Sequence, residues 1–477
     1  MRALALLSLG LLFASFAAHA QSVTLPPSER IVLDNGVVLI LSEKHDVPLV
    51  SVDILVRGGS LGDPEDKGGV SMLLASLLEK GAGERSAAEF AEAVAAVGGR
   101  LSVGATQENI NVWGNFLSRD SDLMIELVAD MLLRPTLDAD EFERLRLRRI
   151  DGIRSAKDGD PRPLMPVYAE AFLFGDHPYS QSVGGSESSL EAVEHSDVLE
   201  YFEQHIGADR TIIAVSGDFD PAAMRASLEA AFGEWGPAAA ELPAAEAAEP
   251  QTGRRVLLVD KPGATQTYFW IGNVGVARSY PQRAELNIAN TVFGGRFTSM
   301  LNTALRVESG LTYGARSRIS RNLQPGSLGI SSYTETSSTI EAIDMALGVL
   351  AMFHAEGVGE EMLQSAQNYI MGQLPDNLET GSQLADTFAQ IEFYGLDASY
   401  IDGYGEAIAA ATPESVAAVI ENVYPKEENL VFVLLGDAEQ IRESVQKYGP
   451  VTEVSITEPS FDIAQPLDES MDESSGD

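Results

Sequence analysis

Arg306 and Tyr313 are the two side chains whose types and spacing best suit a reaction. They bracket the run Arg306-Val-Glu-Ser-Gly310-Leu-Thr-Tyr313. A guanidinium and a phenol both donate hydrogen bonds, and two donors aimed at one backbone carbonyl stabilise the charge that develops when the peptide bond is attacked. The elements around them decide whether they can meet. Leu301 and Leu305, with Met300 and Ala304, repeat at helical spacing. The segment from Thr298 or Ser299 through Glu308 therefore predicts an amphipathic helix with Gly310 as its left-handed stop. Arg306 then sits in the last helical turn. Tyr313 opens the next extended run just past the reversal, where both side chains could point at one spot.

No second group of residues completes a reaction centre around that pair. His19 falls in a leader segment, and His45, His177, His195, His205 and His354 are scattered, with no pair at a ligand spacing. His177, in Asp176-His-Pro-Tyr179, reads as a turn-former ahead of Pro178. Cysteine is absent, so no thiol can act as nucleophile or ligand and no disulfide staples the fold. A Gly-x-Ser-x-Gly elbow is also missing, and Gly294-Gly295 is not followed by the Gly-Lys-Ser/Thr of a phosphate loop. The net charge of −39 argues against nucleic acid or an anionic membrane as partner. It reads as charge for solubility, with attraction of basic peptides or cations as the sharper alternative.

The chain's organisation is set by composition. Residues 1–20 predict a secretory leader: Arg2 is its positive end, Ala3 to Phe16 its apolar stretch and Ala18-His-Ala20 its cleavage site, implying a periplasmic or secreted protein cut after Ala20. Gln21 rather than cysteine comes after the cut, which excludes a lipid anchor. The Ala- and Pro-rich stretch 237–252 reads as a linker between two similar halves, residues 21–236 and 253–455. Thr211-Ile-Ile-Ala-Val-Ser-Gly217-Asp218 closes the first half and Leu430-Val-Phe-Val-Leu-Leu-Gly436-Asp437 the second. Each is an apolar strand ending in Gly-Asp and preceded by an amphipathic helix. The openings, from Arg30 and from Arg255, both read as strand, turn, strand. Helical stretches at 87–97, 120–133 and 138–156 lie between the strands. The expected class is α+β, with two homologous halves, each a mainly antiparallel sheet with helices packed on one face. Residues 456–477 read as an acidic disordered tail.

Several short pieces, in order, resemble a known family. They are Asn35-Gly36-Val-Val-Leu, Arg57-Gly-Gly-Ser60, Asp66-Lys-Gly-Gly-Val70, Lys80-Gly81, Phe174-Gly-Asp-His-Pro-Tyr179, Gly217-Asp218 and the Arg306 to Tyr313 run. Together they resemble the pitrilysin or insulinase-type (M16) zinc peptidases, which include the mitochondrial processing peptidase and core proteins of a respiratory complex. Active members carry His-x-x-Glu-His on the helix after the Asp-x-Gly-Gly turn. At those positions this chain has Met72-Leu-Leu-Ala75-Ser76, none of which suits zinc or takes a proton from water. The family's third ligand lies downstream of a Glu-Arg-x-Arg pattern, here Glu143-Arg144-Leu145-Arg146, and its position falls at about Gly152, with Asp151 one residue off.

The resemblance therefore implies no metal ligand and no cofactor in this chain. In the family an Arg and a Tyr hydrogen-bond the peptide carbonyl at the zinc site, and Arg306 and Tyr313 stand at the corresponding positions. By resemblance, the chain is expected to be the non-zinc-binding subunit of an exported, two-subunit metallopeptidase. Zinc is expected in a homologous partner subunit with the motif intact, and a peptide is the substrate. The alternative is a catalytically inert scaffold or peptide-binding protein. Residues Leu101 to Trp113 read as one strand that, in active relatives, can pair with substrate.

Overall fold

In the computed structural model residues 23–463 are described, so the expected leader and residues 464–477 lie outside the described residues. Aliphatic runs bounded by glycines and turns form the strands. In the first half these are β1 (Glu29–Val32), β2 (Val38–Glu43), β3 (Leu49–Arg57), the short pair β4 (Gly81–Ala82) and β5 (Arg85–Ser86), β6 (Arg100–Ala105), β7 (Asn109–Leu117) and β8 (Thr211–Gly217). The second half supplies β9 (Arg255–Asp260), β10 (Gln266–Val274), β11 (Arg316–Arg321), β12 (Pro325–Glu335), β13 (Val431–Gly436) and β14 (Val451–Ser455).

The two large sheets have the orders β1-β2-β8-β3-β7-β6 and β11-β12-β10-β13-β9-β14. Read from opposite edges, five strands of one match five of the other. In each set one pair is parallel, β2 with β8 and β9 with β13, and the others are antiparallel. The expected duplication is present, with a shift at the opening. β9 corresponds to β2, because each lies beside the apolar closing strand of its half, and not to β1. The sixth strands differ, since β1 is the hairpin partner of β2 whereas β14 returns from the C-terminal side to lie parallel to β9.

Each half packs its own helices on one face of its sheet. Val50, Val52, Ile54, Ile110 and Val112 meet the first set, and Phe269, Ile271, Ile330, Phe432 and Leu434 the second. The helix Thr336–Glu356 is long and apolar enough to cross a membrane by length and composition. Its Ile343, Val349 and Phe353 lie in the second core.

The opposite face of each sheet is covered by a helix from the other half. Met165–Phe174 of the first half seats Tyr168, Phe172 and Leu173 against Leu257, Val259, Trp270 and Val433 of the second sheet. Gly381–Phe393 of the second half seats Leu384, Phe388 and Phe393 against Ile40, Leu55 and Ile212 of the first. The two contacts are built alike. Arg255 stacks 4.6 Å over Phe172 and donates to its carbonyl at 2.6 Å, while Arg57 stacks 4.6 Å over Phe393 and donates to the Glu392 carbonyl at 3.2 Å. In both, an arginine of one half meets the C-terminal end of the other half's helix, where the last carbonyls need donors.

The C-terminal segment departs from expectation up to Ile463. Ile456 and Phe461 are buried; Phe461 packs edge-on against Tyr168 at 5.2 Å, and Ser188 N donates to the Pro459 carbonyl at 3.0 Å. Two apolar side chains spaced among the acidic ones supply enough burial to hold residues 456–463 down.

Candidate functional site

The helix that carries Arg306 begins as expected and then widens. Ser299 caps it by accepting from Asn302 N, the first turn is Met300–Asn302, and Thr303–Glu308 continues with π geometry. Ser309 N reaches back to the Ala304 carbonyl at 3.2 Å, a five-residue step. Single π turns insert a residue without breaking the helix and recur at functional sites. Leu301 and Leu305 are fully buried, Arg306 is exposed, and Gly310 takes φ 71° as the left-handed stop.

Past that stop the chain is pinned on both sides of Tyr313. Thr334 Oγ1 donates to the Leu311 carbonyl at 2.7 Å, and Ser332 Oγ donates to Thr312 Oγ1 at 3.2 Å and to the Gly314 carbonyl at 3.0 Å. Tyr313 projects between these anchors and is 78% exposed. The next strand starts at Arg316, so Tyr313 stands in the loop before the extended run and does not open it. The anchoring Thr312 and Gly314 explain that delay.

Arg306 and Tyr313 line one cavity of about 610 Å³, as their spacing predicts. The Arg306 guanidinium lies 4.8 Å from the Phe297 ring centroid, which orients it without supplying an acceptor. Among the described residues neither side chain has a hydrogen-bond partner. Two donors therefore face one cleft with their protons unused.

The helix that carries the zinc motif in active family members forms here at Val70–Leu78, and Asp63 caps it, accepting from Gly69 N and Ser71 N, both at 2.8 Å. Gly59, in the preceding turn, has φ 59°, and a Cβ there would lie 2.4 Å from the Thr106 carbonyl, so only glycine fits. Ser76 and Gly152 come together at a cavity of about 530 Å³ that Arg148 and Arg149 also line. Ser76 Oγ donates to the Met72 carbonyl at 2.9 Å, and Ala75 is fully buried in the core. Burial pushes the Arg149 guanidinium below its ordinary value, and its Nε donates to the Gly184 carbonyl at 2.7 Å. A thioether at Met72, a methyl at Ala75, a hydroxyl at Ser76 and no side chain at Gly152, the last two beside Arg148 and Arg149, do not fit a zinc ion, which takes thiolate, imidazole or carboxylate. Among the described residues no group of three His, Cys, Asp or Glu could hold a metal. Asp151 is exposed. The 530 Å³ cavity shares no lining residue with the Arg306–Tyr313 cavity.

The histidines serve structural contacts. His177 Nδ1 accepts from Tyr179 N at 3.0 Å and caps the turn at Pro178. His195 Nε2 meets the Leu137 carbonyl at 2.6 Å, and His45 pairs with Asp218 at 2.6 Å, which holds that carboxyl below its ordinary value. The segment Leu101 to Trp113 is a hairpin and not one strand: Thr106 N bonds the Asn109 carbonyl and reverses the chain between β6 and β7. β6 and β11 are the matching edges of the two sheets.

A further feature went unread in the sequence. Arg278, Arg283 and Arg321 line a second cavity of about 420 Å³ that adjoins the first and shares Asn287, Asn290 and Arg321 with it. The available signal was the spacing of cations, since lysine is absent between Lys261 and Lys426.

Two family descriptions match the chain: "Insulinase (Peptidase family M16)" over residues 38–183 and "Peptidase M16 inactive domain" over residues 192–370. An "Uncharacterized zinc protease" of Mycobacterium leprae is 26% identical over 77% of this chain and 82% of its own length. Among solved structures, a peptidase M16 inactive domain from Pseudomonas fluorescens superposes with a TM-score of 0.79 at 21% identity, covering 86% of this chain and 98% of that one. The periplasmic protease PqqL of Escherichia coli gives 0.73 at 15% identity, covering 87% of this chain but 46% of that one.

Proposed function

The chain belongs to the peptidase M16 family, and on that premise we propose that it is the non-zinc-binding subunit of an exported, two-subunit metallopeptidase. One observation carries the reading. Arg306 and Tyr313 offer unused donors to one cleft, while Ser76 and Gly152, at two of the family's metal-ligand positions, line a separate cavity beside Arg148 and Arg149. A donor pair with no metal or base of its own is useful where another chain brings them. The coverage of PqqL by this fold, under half of that chain, fits a partner of similar size completing the enclosure.

In the assembled pair the metal and the base that activates water would belong to the partner. This chain's part is electrostatic. Arg306 donates to the carbonyl oxygen of the peptide bond under attack, its cation matching the negative charge that grows there. Tyr313 donates its phenolic proton to the same oxygen from the other side of the reversal. The backbone on both sides of Tyr313 is held before substrate arrives and Phe297 lies against the Arg306 guanidinium, which limits the reorganisation needed as the charge develops.

The test is reconstitution with a homologue that carries the intact zinc motif. Arg306→Ala and Tyr313→Phe should each lower peptide turnover by roughly 10²–10³, with assembly unchanged on gel filtration. Unchanged turnover in both would refute the catalytic role and leave an inert scaffold or peptide-binding subunit.

A further inference from the structure

Every lysine or arginine between Lys261 and Lys426 lines one of the two adjoining cavities: Arg278, Arg283 and Arg321 the inner, Arg296, Arg306, Arg316 and Arg318 the outer. In a chain of net charge −39 this is a local reversal of sign. Among the described residues none of these seven forms an ion pair with a carboxylate, although arginines elsewhere commonly do, as Arg30, Arg85, Arg146, Arg154, Arg225, Arg254 and Arg442 illustrate.

The inner group is held together against its own repulsion. Burial pushes the Arg321 guanidinium below its ordinary value, and Arg278 and Arg283 push it the same way. Arg283 lies 3.3 Å over the Tyr400 ring and 4.3 Å over Tyr404, contacts that fix a guanidinium in place while leaving its edge open. The buried Nη1 of Arg321 and Nε of Arg278 and Arg296 have no hydrogen-bond partner. An unpaired buried donor costs about 1–3 kcal/mol, more when charged, so such a cluster is stable in the fold at a loss that a ligand can recover. In the outer cavity Arg316 and Arg318 alternate with buried Ser317 on edge strand β11, so both face the same side of an edge open to an added strand.

We propose that this arginine channel selects peptides bearing several carboxylates, with acidic side chains paired to Arg316 and Arg318 in the outer cavity and to Arg321 and Arg278 in the inner one. The assignment rests on the proposed peptidase reading, since it takes the channel as the approach to Arg306 and Tyr313. It opposes what the whole-chain charge suggests, a preference for basic peptides. At about 0.15 M salt the screening length is about 8 Å, so a bound peptide senses these arginines and little of the distant acidic surface. Guanidinium and carboxylate are matched in shape, and a two-point pair is the strong form of that bond.

The experiment is binding to the full chain without a partner, so that it does not depend on turnover. A fluorescent peptide rich in Asp and Glu, and the same peptide with Asn and Gln in their place, are titrated by anisotropy at 0.15 M salt, with citrate as a competitor. The acidic peptide should bind at least about tenfold tighter than its amide counterpart, and R321Q and R316Q should each remove most of that difference. R321Q, freed of an unpaired buried cation, should unfold at a temperature no lower than the wild type in the absence of peptide. Equal affinity for the two peptides, or a preference retained in both variants, overturns the proposal. Citrate binding as tightly as the acidic peptide overturns the peptide assignment in favour of a small-anion site. Acidic-peptide binding together with unchanged turnover in the Arg306 and Tyr313 variants would remove the catalytic reading and leave this one standing.

Discussion

Replacing Asp53 by asparagine should remove a defined part of the chain's loss of stability at rising pH. Asp53 lies on β3 and faces the Gly381–Phe393 helix donated by the other half. Its carboxyl is pushed up from 3.8 to about 7 by burial first and by the nearby Asp386 second, while the Asn111 amide, 3.4 Å away, opposes the shift. Burial also raises Asp386 on the facing helix, against its hydrogen bond from Gln390 and the attraction of Arg278. A carboxyl raised on folding holds its proton more tightly in the folded chain. Its contribution is therefore complete below the unfolded value and is lost as pH climbs towards the folded one. For values of 3.8 and about 7, the integral between pH 5 and pH 8 is a loss of about 2–3 kcal/mol, at about 1.4 kcal/mol per pKa unit. The D53N variant cannot ionise at this position. Urea unfolding at pH 5 and pH 8 should show the variant's stability relative to the wild type rising by about 2–3 kcal/mol from the lower pH to the higher. Parallel losses in the two proteins would refute the assignment of a raised carboxyl to this interface.

The opposite interface carries its own buried acid. Glu170, on the Met165–Phe174 helix, is raised to about 7 by burial, so E170Q should flatten the same pH window by urea unfolding, additively with D53N because one site lies on the first sheet and the other on a helix packed against the second. Phe461→Ala should lower unfolding free energy by about 3–5 kcal/mol and expose the C-terminal segment to limited proteolysis; an unchanged midpoint would show that residues 456–463 are not part of the core.

Local signals in the sequence carried many of the elements, for identifiable reasons. Thr412 and Pro413 open a capped helix that runs to Val423, and the Gly-Asp ends of β8 and β13 each hand over to a helix. Leu301, Leu305 and Gly310 placed Arg306 on an exposed helical face before a reversal, and the structure brings it to the same cavity as Tyr313. The π geometry was not legible, because it depends on how Ala304 and Ser309 settle over the second core. Nor was the helix exchange, which is a contact between halves. A signal for one side existed: in Met165–Phe174 apolar residues occur all round the helix, the mark of burial on more than one face. The arginine channel escaped because its seven members come from separated segments, and only the three-dimensional fold brings them together.

The helix exchange also ties the two halves together. Each sheet has its own helices on one face and the other half's helix on the second, with Arg57 and Arg255 clasping the two donated helices at their ends. Hinging one half away from the other would expose both apolar faces at once, including Trp270, Val433, Ile40 and Leu55, at a cost of about 25 cal/mol for each Å² uncovered. Domains move against each other most readily when their interface is small and polar, and this one is built on two apolar clusters. Separating the two halves is therefore costly. On the proposed two-subunit reading, a chamber that admits a peptide would then open between this chain and its partner, where Arg306 and Tyr313 meet the substrate.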